Sequence, residues 1–230
     1  CSMNPETGIM EYVPFNTKVS YEYSGDMYEF KSRGHHSVVT PNHRVVYRKK
    51  YGKTLYIDTA ETLISTKQFF RLPRTAEYCV EESSQHDILV ARFFEWYLSE
   101  GCVSKRNNGS YQVGIAQYKK DNYERIYNIC HELGLNPKRG ANQIYIFGEY
   151  AKYIYNLNLG KSHEKYIPEF IKNLGKNALE AFLEEFARGD GHTRSMRCFG
   201  YESQEVVYFT SSVRLRDGII DLLLKIGKSS

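Results

Sequence analysis

Two acidic endings, Glu100-Gly101 and Asp190-Gly191, stand 90 positions apart, and the same order of elements follows each of them. Asp87 to Glu100 carries an apolar stripe (Ile88, Leu89, Ala91, Phe94, Tyr97, Leu98) at helical spacing, which predicts a helix stopped by Gly101. Two strand-like runs follow, Cys102 to Arg106 and Tyr111 to Gln117, with Asn108-Gly109 between them. Asn-Gly is the strongest short hairpin signal, because both turn positions call for positive φ. An amphipathic helix from Asp121 to Leu133, a strand from Gln143 to Phe147 and a helix from Glu149 to Leu157 come next. The order then recurs: a helix from Leu179 to Gly189, strand-like runs Arg194 to Phe199 and Glu205 to Thr210, and a helix over Leu215, Ile219, Ile220, Leu222, Leu223 and Ile226 that closes at Gly227. Glu100 lies 21 residues before the Asp121 helix and Asp190 lies 22 before Ser212. A twofold repeat of α-β-β-α units is the reading this supports.

Such a repeat has a chemical use. Two helices can pack closely where small residues let their backbones approach, and their last acids then arrive side by side. Paired carboxylates are costly unless a cation neutralises them. Hard oxygen ligands suit Mg²⁺, which keeps several waters and takes further ligands from substrate phosphate. Such an ion activates water and stabilises the leaving oxygen of a phosphodiester. The flanking hairpins would form two-stranded ribbons, a shape the DNA major groove admits.

The first part of the chain has another rhythm. Lys18 to Tyr23 alternates, Ser24-Gly25-Asp26 turns, and Met27 to Phe30 alternates again. Ser37 to Tyr47 is rich in Val and broken at Thr40-Pro41-Asn42, where Pro41 blocks a ladder donor. Short strands at close spacing predict an all-β unit up to about residue 83. The net charge of +4 (31 Lys and Arg against 27 Asp and Glu) permits nucleic-acid binding without arguing for it. Its distribution says more, because basic pairs such as Lys105-Arg106 and Lys138-Arg139 fall in the expected hairpins and loops. Five cysteines without a Cys-x-x-Cys pair argue against a zinc site or disulfide framework and for a reducing, cytoplasmic setting. No segment is apolar for long enough to span a bilayer, so no membrane partner is expected.

Several motifs resemble one family. The run from Phe94 to Gly101 (Phe-Glu-Trp-Tyr-Leu-Ser-Glu-Gly) resembles the first LAGLIDADG motif of intein homing endonucleases, and Leu183 to Gly191, ending Gly-Asp-Gly, resembles the second. Lys165-Tyr166-Ile167-Pro168 resembles their Lys-x-Ile-Pro element, and Leu215 to Gly227 resembles their closing helix. The resemblance implies an α+β chain: an all-β Hint-like splicing region over residues 1–83, then a pseudo-twofold αββαββα LAGLIDADG endonuclease over 84–230, its repeats near 84–160 and 161–230. It also implies that Glu100 and Asp190 are catalytic and bind Mg²⁺, with Gln117 as a polar helper. Lys105, Arg106, Tyr111, Gln112, Arg194 and Arg197 become candidate contacts to double-stranded DNA, although ordinary hairpin surface explains each equally well. A monomer is expected.

The splicing half rests on Cys1, Thr40 and His43. Thr40-Pro41-Asn42-His43 resembles the Thr-x-x-His block of inteins, and Tyr23 to Tyr28 resembles the family's Tyr-x-Gly strand pair. A thiol at the first position can attack the preceding carbonyl, His43 would protonate the departing nitrogen, and Thr40 would orient the amide. The family's Gly-x-Thr strand after the starting Cys is missing here, so Cys1-Ser2 reads equally well as a remnant before Met3. A terminal His-Asn is also missing, so the resemblance implies that splicing needs a complementary fragment, with exteins of a host protein as partners. Alternatives are a split-intein fragment active only in trans, a stand-alone LAGLIDADG endonuclease or maturase, and a DNA-binding regulator that has no need of the acids.

Overall fold

A computed structural model describes residues 2–4, 6–11, 13–32, 35–78, 81–198 and 201–229. The chain is α+β, with small, mostly antiparallel sheets and seven α-helices among the described residues. It divides into two compact units, one of residues 1–79 with 223–230, the other of 80–222. The division falls close to the expected residue 83, but the last eight residues join the first unit.

In the first unit, β1 (Ser2–Met3), β2 (Ile9–Glu11) and β8 (Glu77–Tyr78) make one small sheet, with β2 and β8 parallel. The hairpin β3 (Tyr28–Ser32) and β4 (His35–Val39) stands apart from a sheet of β5 (Arg44–Lys49), β6 (Leu55–Thr59) and β7 (Phe70–Arg71), ordered β6-β5-β7. Met10, Phe30, Ala60 and Leu63 form its buried core, and the Phe70 ring lies 6.1 Å from both Phe30 and Tyr47. The unit is not all-β, because α1 (Ala60–Ser65) follows β6 and is capped by Thr59 Oγ1, which accepts from Thr62 N at 3.3 Å. Lys18 to Tyr23 is not a strand either. Val19 and Tyr21 are 74% and 68% exposed, and no strand among the described residues pairs with this stretch. Alternation suits a pleat but does not supply the neighbour whose carbonyls and amides complete a ladder.

The second unit begins with α2 (Gln85–Glu100), opened by a capping box in which Ser84 Oγ accepts from Asp87 N at 3.2 Å and Asp87 Oδ2 accepts from Ser84 N at 3.1 Å. There follow β9 (Gly101–Lys105), β10 (Tyr111–Ala116), α3 (Lys120–Glu132), β11 (Lys138–Arg139), β12 (Gln143–Phe147) and α4 (Glu149–Leu157). The four strands form one sheet, ordered β11-β12-β10-β9. After a 3₁₀ turn at Ser162–Glu164 come α5 (Glu169–Lys172), α6 (Lys176–Gly189), the ribbon β13 (Gly191–Cys198) and β14 (Tyr201–Tyr208), and α7 (Val213–Lys225). The first half is thus αββαββα, whereas the second is αββα with a two-stranded ribbon, so the expected twofold symmetry is only partial.

Helices α2 and α6 pack against one another at the centre of this unit. Phe93, Phe94, Trp96 and Leu98 of α2 and Phe182, Leu183 and Phe186 of α6 are all buried, with Phe93 against Tyr150 of α4 and Phe94 against Phe170 of α5. The turn between β9 and β10 also departs from expectation. Gly109 alone takes positive φ (82°), its amide donates to Arg106 O at 2.9 Å, and Asn108 Oδ1 accepts from Ser110 N at 3.1 Å. That is a longer loop built on a common turn with one left-handed glycine, not a two-residue mirror-image turn.

Candidate functional site

Both predicted acids arrive at one cleft, and local sterics explain how. A Cβ on Gly101 would sit 2.6 Å from the Tyr97 carbonyl oxygen, and one on Gly191 would sit 2.5 Å from Ala187 Cα. Each glycine therefore lets the chain leave its helix directly into a strand, close against the last turn. Glu100 is left as the final residue of α2 and Asp190 as the C-cap of α6. Phe209 N donates to Asp190 O at 2.9 Å and fixes that backbone.

The cleft has a volume of about 1170 Å³, and Glu100, Asp190 and Lys165 are among the residues that line it. Partial burial raises the Glu100 pKa, and the charge of Asp190 raises it further. Burial likewise raises the Asp190 pKa, while Lys165 and Lys119 pull both acids back down. Two carboxylates and two ammonium groups thus feel one another in one partly dry place.

Lys165 is placed with particular care. Its ammonium donates to the carbonyls of Leu98 (2.7 Å), Gly101 (2.9 Å) and Tyr97 (3.3 Å). These carbonyls lie at the end of α2 and the start of β9, where a cation also offsets the helix dipole. Ser212, fully buried, donates to Lys165 O at 2.6 Å and accepts from Leu215 N at 3.2 Å at the start of α7. Ile167 is buried, and its side chain would lie 3.1 Å from a Cβ on Gly218 of α7. The Lys-x-Ile-Pro pattern is therefore a clasp between α2 and α7. Reading the sequence found the pattern but assigned Lys165 no task.

The other predicted residues fall out unevenly. Gln117 is buried, but its Oε1 accepts from Lys119 N at 2.9 Å and it does not line the cleft. Its amide shapes the entry to α3, and Lys119, two residues on, is the group that faces both acids. The Tyr111 ring lies 4.9 Å from Tyr155 of α4 with Lys105 Nζ 5.8 Å from its centroid, so both belong to the helix-covered face of the sheet. Strand alternation puts Gln112 on the opposite face, across from Ser104 and Phe147 in register, and Arg106 lies 5.8 Å from the Phe147 ring. Arg194 pairs with Glu205 across the β13–β14 ribbon. Arg197 is opposite Glu202 in register, and its side chain lies outside the described residues.

In the first unit, Thr40 and His43 share a turn in which His43 N donates to Thr40 O at 3.0 Å and Thr40 Oγ1 donates to Asn42 Oδ1 at 2.7 Å. His43 is exposed and lines a cavity of about 450 Å³ with Met10, Phe30 and Val39. Cys1 lies outside the described residues, so its distance to that turn is not part of the picture.

Among the described residues, no group of three or more His, Cys, Asp or Glu could hold a metal ion. The pair Glu100 and Asp190 fits Mg²⁺ nevertheless, because that ion takes one or two carboxylates and completes its shell with water and substrate phosphate. Among the described residues, no helix is long and apolar enough to cross a membrane.

No family model matches the chain. Over 99% of its length the chain is 22% identical to the ATP-dependent Clp protease proteolytic subunit of Chlamydomonas moewusii, and the aligned part covers 25% of that protein. The chain therefore spans about a quarter of that relative's length. The relative is named as part of an enzyme.

Proposed function

We propose that this chain is an intein segment carrying a LAGLIDADG-type homing endonuclease, which cuts double-stranded DNA at the cleft between the ends of α2 and α6. The observation that carries this reading is the delivery of Glu100 and Asp190, from two packed helices of similar sequence pattern, to one partly buried cleft beside Lys165 and Lys119. Mg²⁺ held there would activate water and stabilise the leaving oxygen of a phosphodiester. Glu100 and Asp190 would supply the protein oxygens. Lys119, exposed and facing both acids, would meet the phosphate charge, and Lys165 would hold the end of α2 in place. The open sheet face bearing Gln112 with Arg106, and the β13–β14 ribbon with Arg194, would lie along the grooves. Affinity would fall with salt as phosphate contacts release counterions.

The first unit is discontinuous, its chain leaving at residue 79 and returning at 223, as it would around an inserted element. A protease reading has little behind it. His35 Nε2 and Ser37 Oγ are 2.9 Å apart, but on one exposed strand, and no bond to a carboxylate orients the His35 ring among the described residues.

The decisive experiment is cleavage of a plasmid library carrying random target sites, with Mg²⁺ and with EDTA. Sequence-dependent double-strand breaks in Mg²⁺, absent in EDTA, are expected. Absence of cutting at any site in Mg²⁺ overturns the nuclease assignment.

The splicing half makes a separate prediction. Incubated with complementary intein fragments bearing tagged exteins, the chain should ligate the tags, and His43→Ala should slow the first step by about 10²-fold, as loss of a general acid does. An unchanged ligation rate removes His43 from the chemistry.

A further inference from the structure

Glu95 and Glu185 hold the same place in the two central helices, each five residues before the terminal acid. Both are fully buried in the packing between α2 and α6, where charge is least welcome. Their surroundings differ completely. Glu185 accepts from Trp96 Nε1 at 3.1 Å and from Arg125 Nε at 2.7 Å, and Arg92 Nε stands 3.5 Å away. Glu95 has only the hydroxyl of Ser99, which also donates to the Glu95 carbonyl at 3.1 Å. Glu95 Oε2 has no hydrogen-bond partner among the described residues. A Cβ on Gly189 would stand 3.8 Å from Glu95 Oε1 and 3.3 Å from the Trp96 ring, so the opposing helix is in close contact there.

We propose that Glu95 is a positioning residue: its carboxyl, tied to Ser99 and packed under Gly189, sets how the ends of α2 and α6 meet and so how Glu100 and Asp190 share a cation. The proposal rests on the reading of those two acids as a metal-binding pair. Ser99 directly precedes Glu100 and Gly189 directly precedes Asp190, so Glu95 touches both helices one residue short of the acids. The charged groups that act on it are Glu100 on its own helix, Glu185 and Asp190 from α6, and Lys165 before α5, whereas Arg92 and Arg125 are directed at Glu185. Both guanidinium groups are engaged by Glu185, and Lys165 is spent on the α2 carbonyls. Burial therefore drives the Glu95 pKa well up, and the acids around it push in the same direction. Two glutamates at equivalent positions thus differ in their partners, Glu185 held by Arg125 and Trp96 and, among the described residues, Glu95 by Ser99 alone.

Mn²⁺ binding to the full chain, read by the loss of the free-ion electron paramagnetic resonance signal, tests this without DNA. Glu95→Gln keeps the shape and the Ser99 bond, and should bind Mn²⁺ within about twofold of wild type, whereas Glu95→Ala should weaken it by about tenfold or more, the range seen when a residue supporting a ligand is lost. Glu95→Leu, which fills the volume without the hydrogen bond, serves if the alanine variant does not fold, and should show the same loss. Wild-type affinity in the alanine or leucine variant, or equal loss in the glutamine variant, overturns the proposal. Asp190→Asn is run alongside. If it binds Mn²⁺ as wild type does, the metal pair itself is refuted, whatever the Glu95 variants show.

Discussion

Asp190→Asn is expected to reduce DNA cleavage by about 10³-fold, the order lost when one group poised to stabilise developing charge is removed. Asparagine keeps the size of the side chain and the cap of α6, where the backbone bond from Asp190 N to Phe186 O (3.0 Å) does not involve the carboxyl. What disappears is one of the two acids that end the central helices at the cleft. DNA affinity without metal should be unchanged or slightly tighter, because a charge repelling phosphate is gone. Parallel gel-shift and cleavage measurements separate the two effects, and equal nicking by both proteins refutes the assignment. Acidity should act in the same direction. Burial and the charge of Asp190 raise the Glu100 pKa, and burial raises that of Asp190, so both take up protons at a higher pH than they would if exposed. The ionised pair is the metal-binding form. Cleavage rates at fixed Mg²⁺ should therefore fall as pH drops through those raised values, and the fall should begin earlier than for exposed carboxylates.

The largest effect on stability is expected from Arg125→Ala. Glu185 has no exposed side-chain surface, and Arg125 grips it with two nitrogens. Removing one partner of a buried pair leaves a stranded charge, at a cost of about 3–5 kcal/mol. The outer edge of Arg125 reaches solvent, and Trp96 and Arg92 remain near Glu185, which places the expected loss near the lower figure. A fall in melting temperature on the order of 10 °C follows for a chain of this size. The double variant Arg125→Ala with Glu185→Gln should recover much of it, because the stranded charge goes as well. If the double variant is as unstable as the sum of the singles, the two side chains are not coupled and the pair contributes only through packing.

Much of the second unit was legible in the residues. The apolar spacing from Asp87, the stops at Gly101 and Gly191, and the strand Gln143 to Phe147 mark elements at nearly their observed bounds. What stayed hidden has specific causes. Phe93 and Trp96 fall outside the apolar stripe because α2 is enclosed on almost every side, and a helix buried all round has no amphipathic signal to read. Nothing local marks Glu95 and Glu185 as buried, since the Arg125 that meets Glu185 arrives from another helix. The faces of β10 could be told apart only once α4 was seen to cover one of them, which removes Tyr111 from the open side and leaves Gln112 there. In the first unit, Lys18 to Tyr23 has the alternation of a strand without a neighbour, and a neighbour is a property of topology. The three-residue separation of Thr40 and His43 is legible because one turn holds both.

The discontinuity of the first unit also orders events during synthesis. Residues 1–79 emerge from the ribosome before residues 80–222, yet the piece they fold with, 223–230, emerges after them. Residues 80–222 must be translated in between, and their contacts are largely their own, so they can condense while the earlier stretch still waits. The first unit is therefore complete only once residues 80–222 have been made, and an interruption of translation before residue 223 would leave it without the piece it packs with.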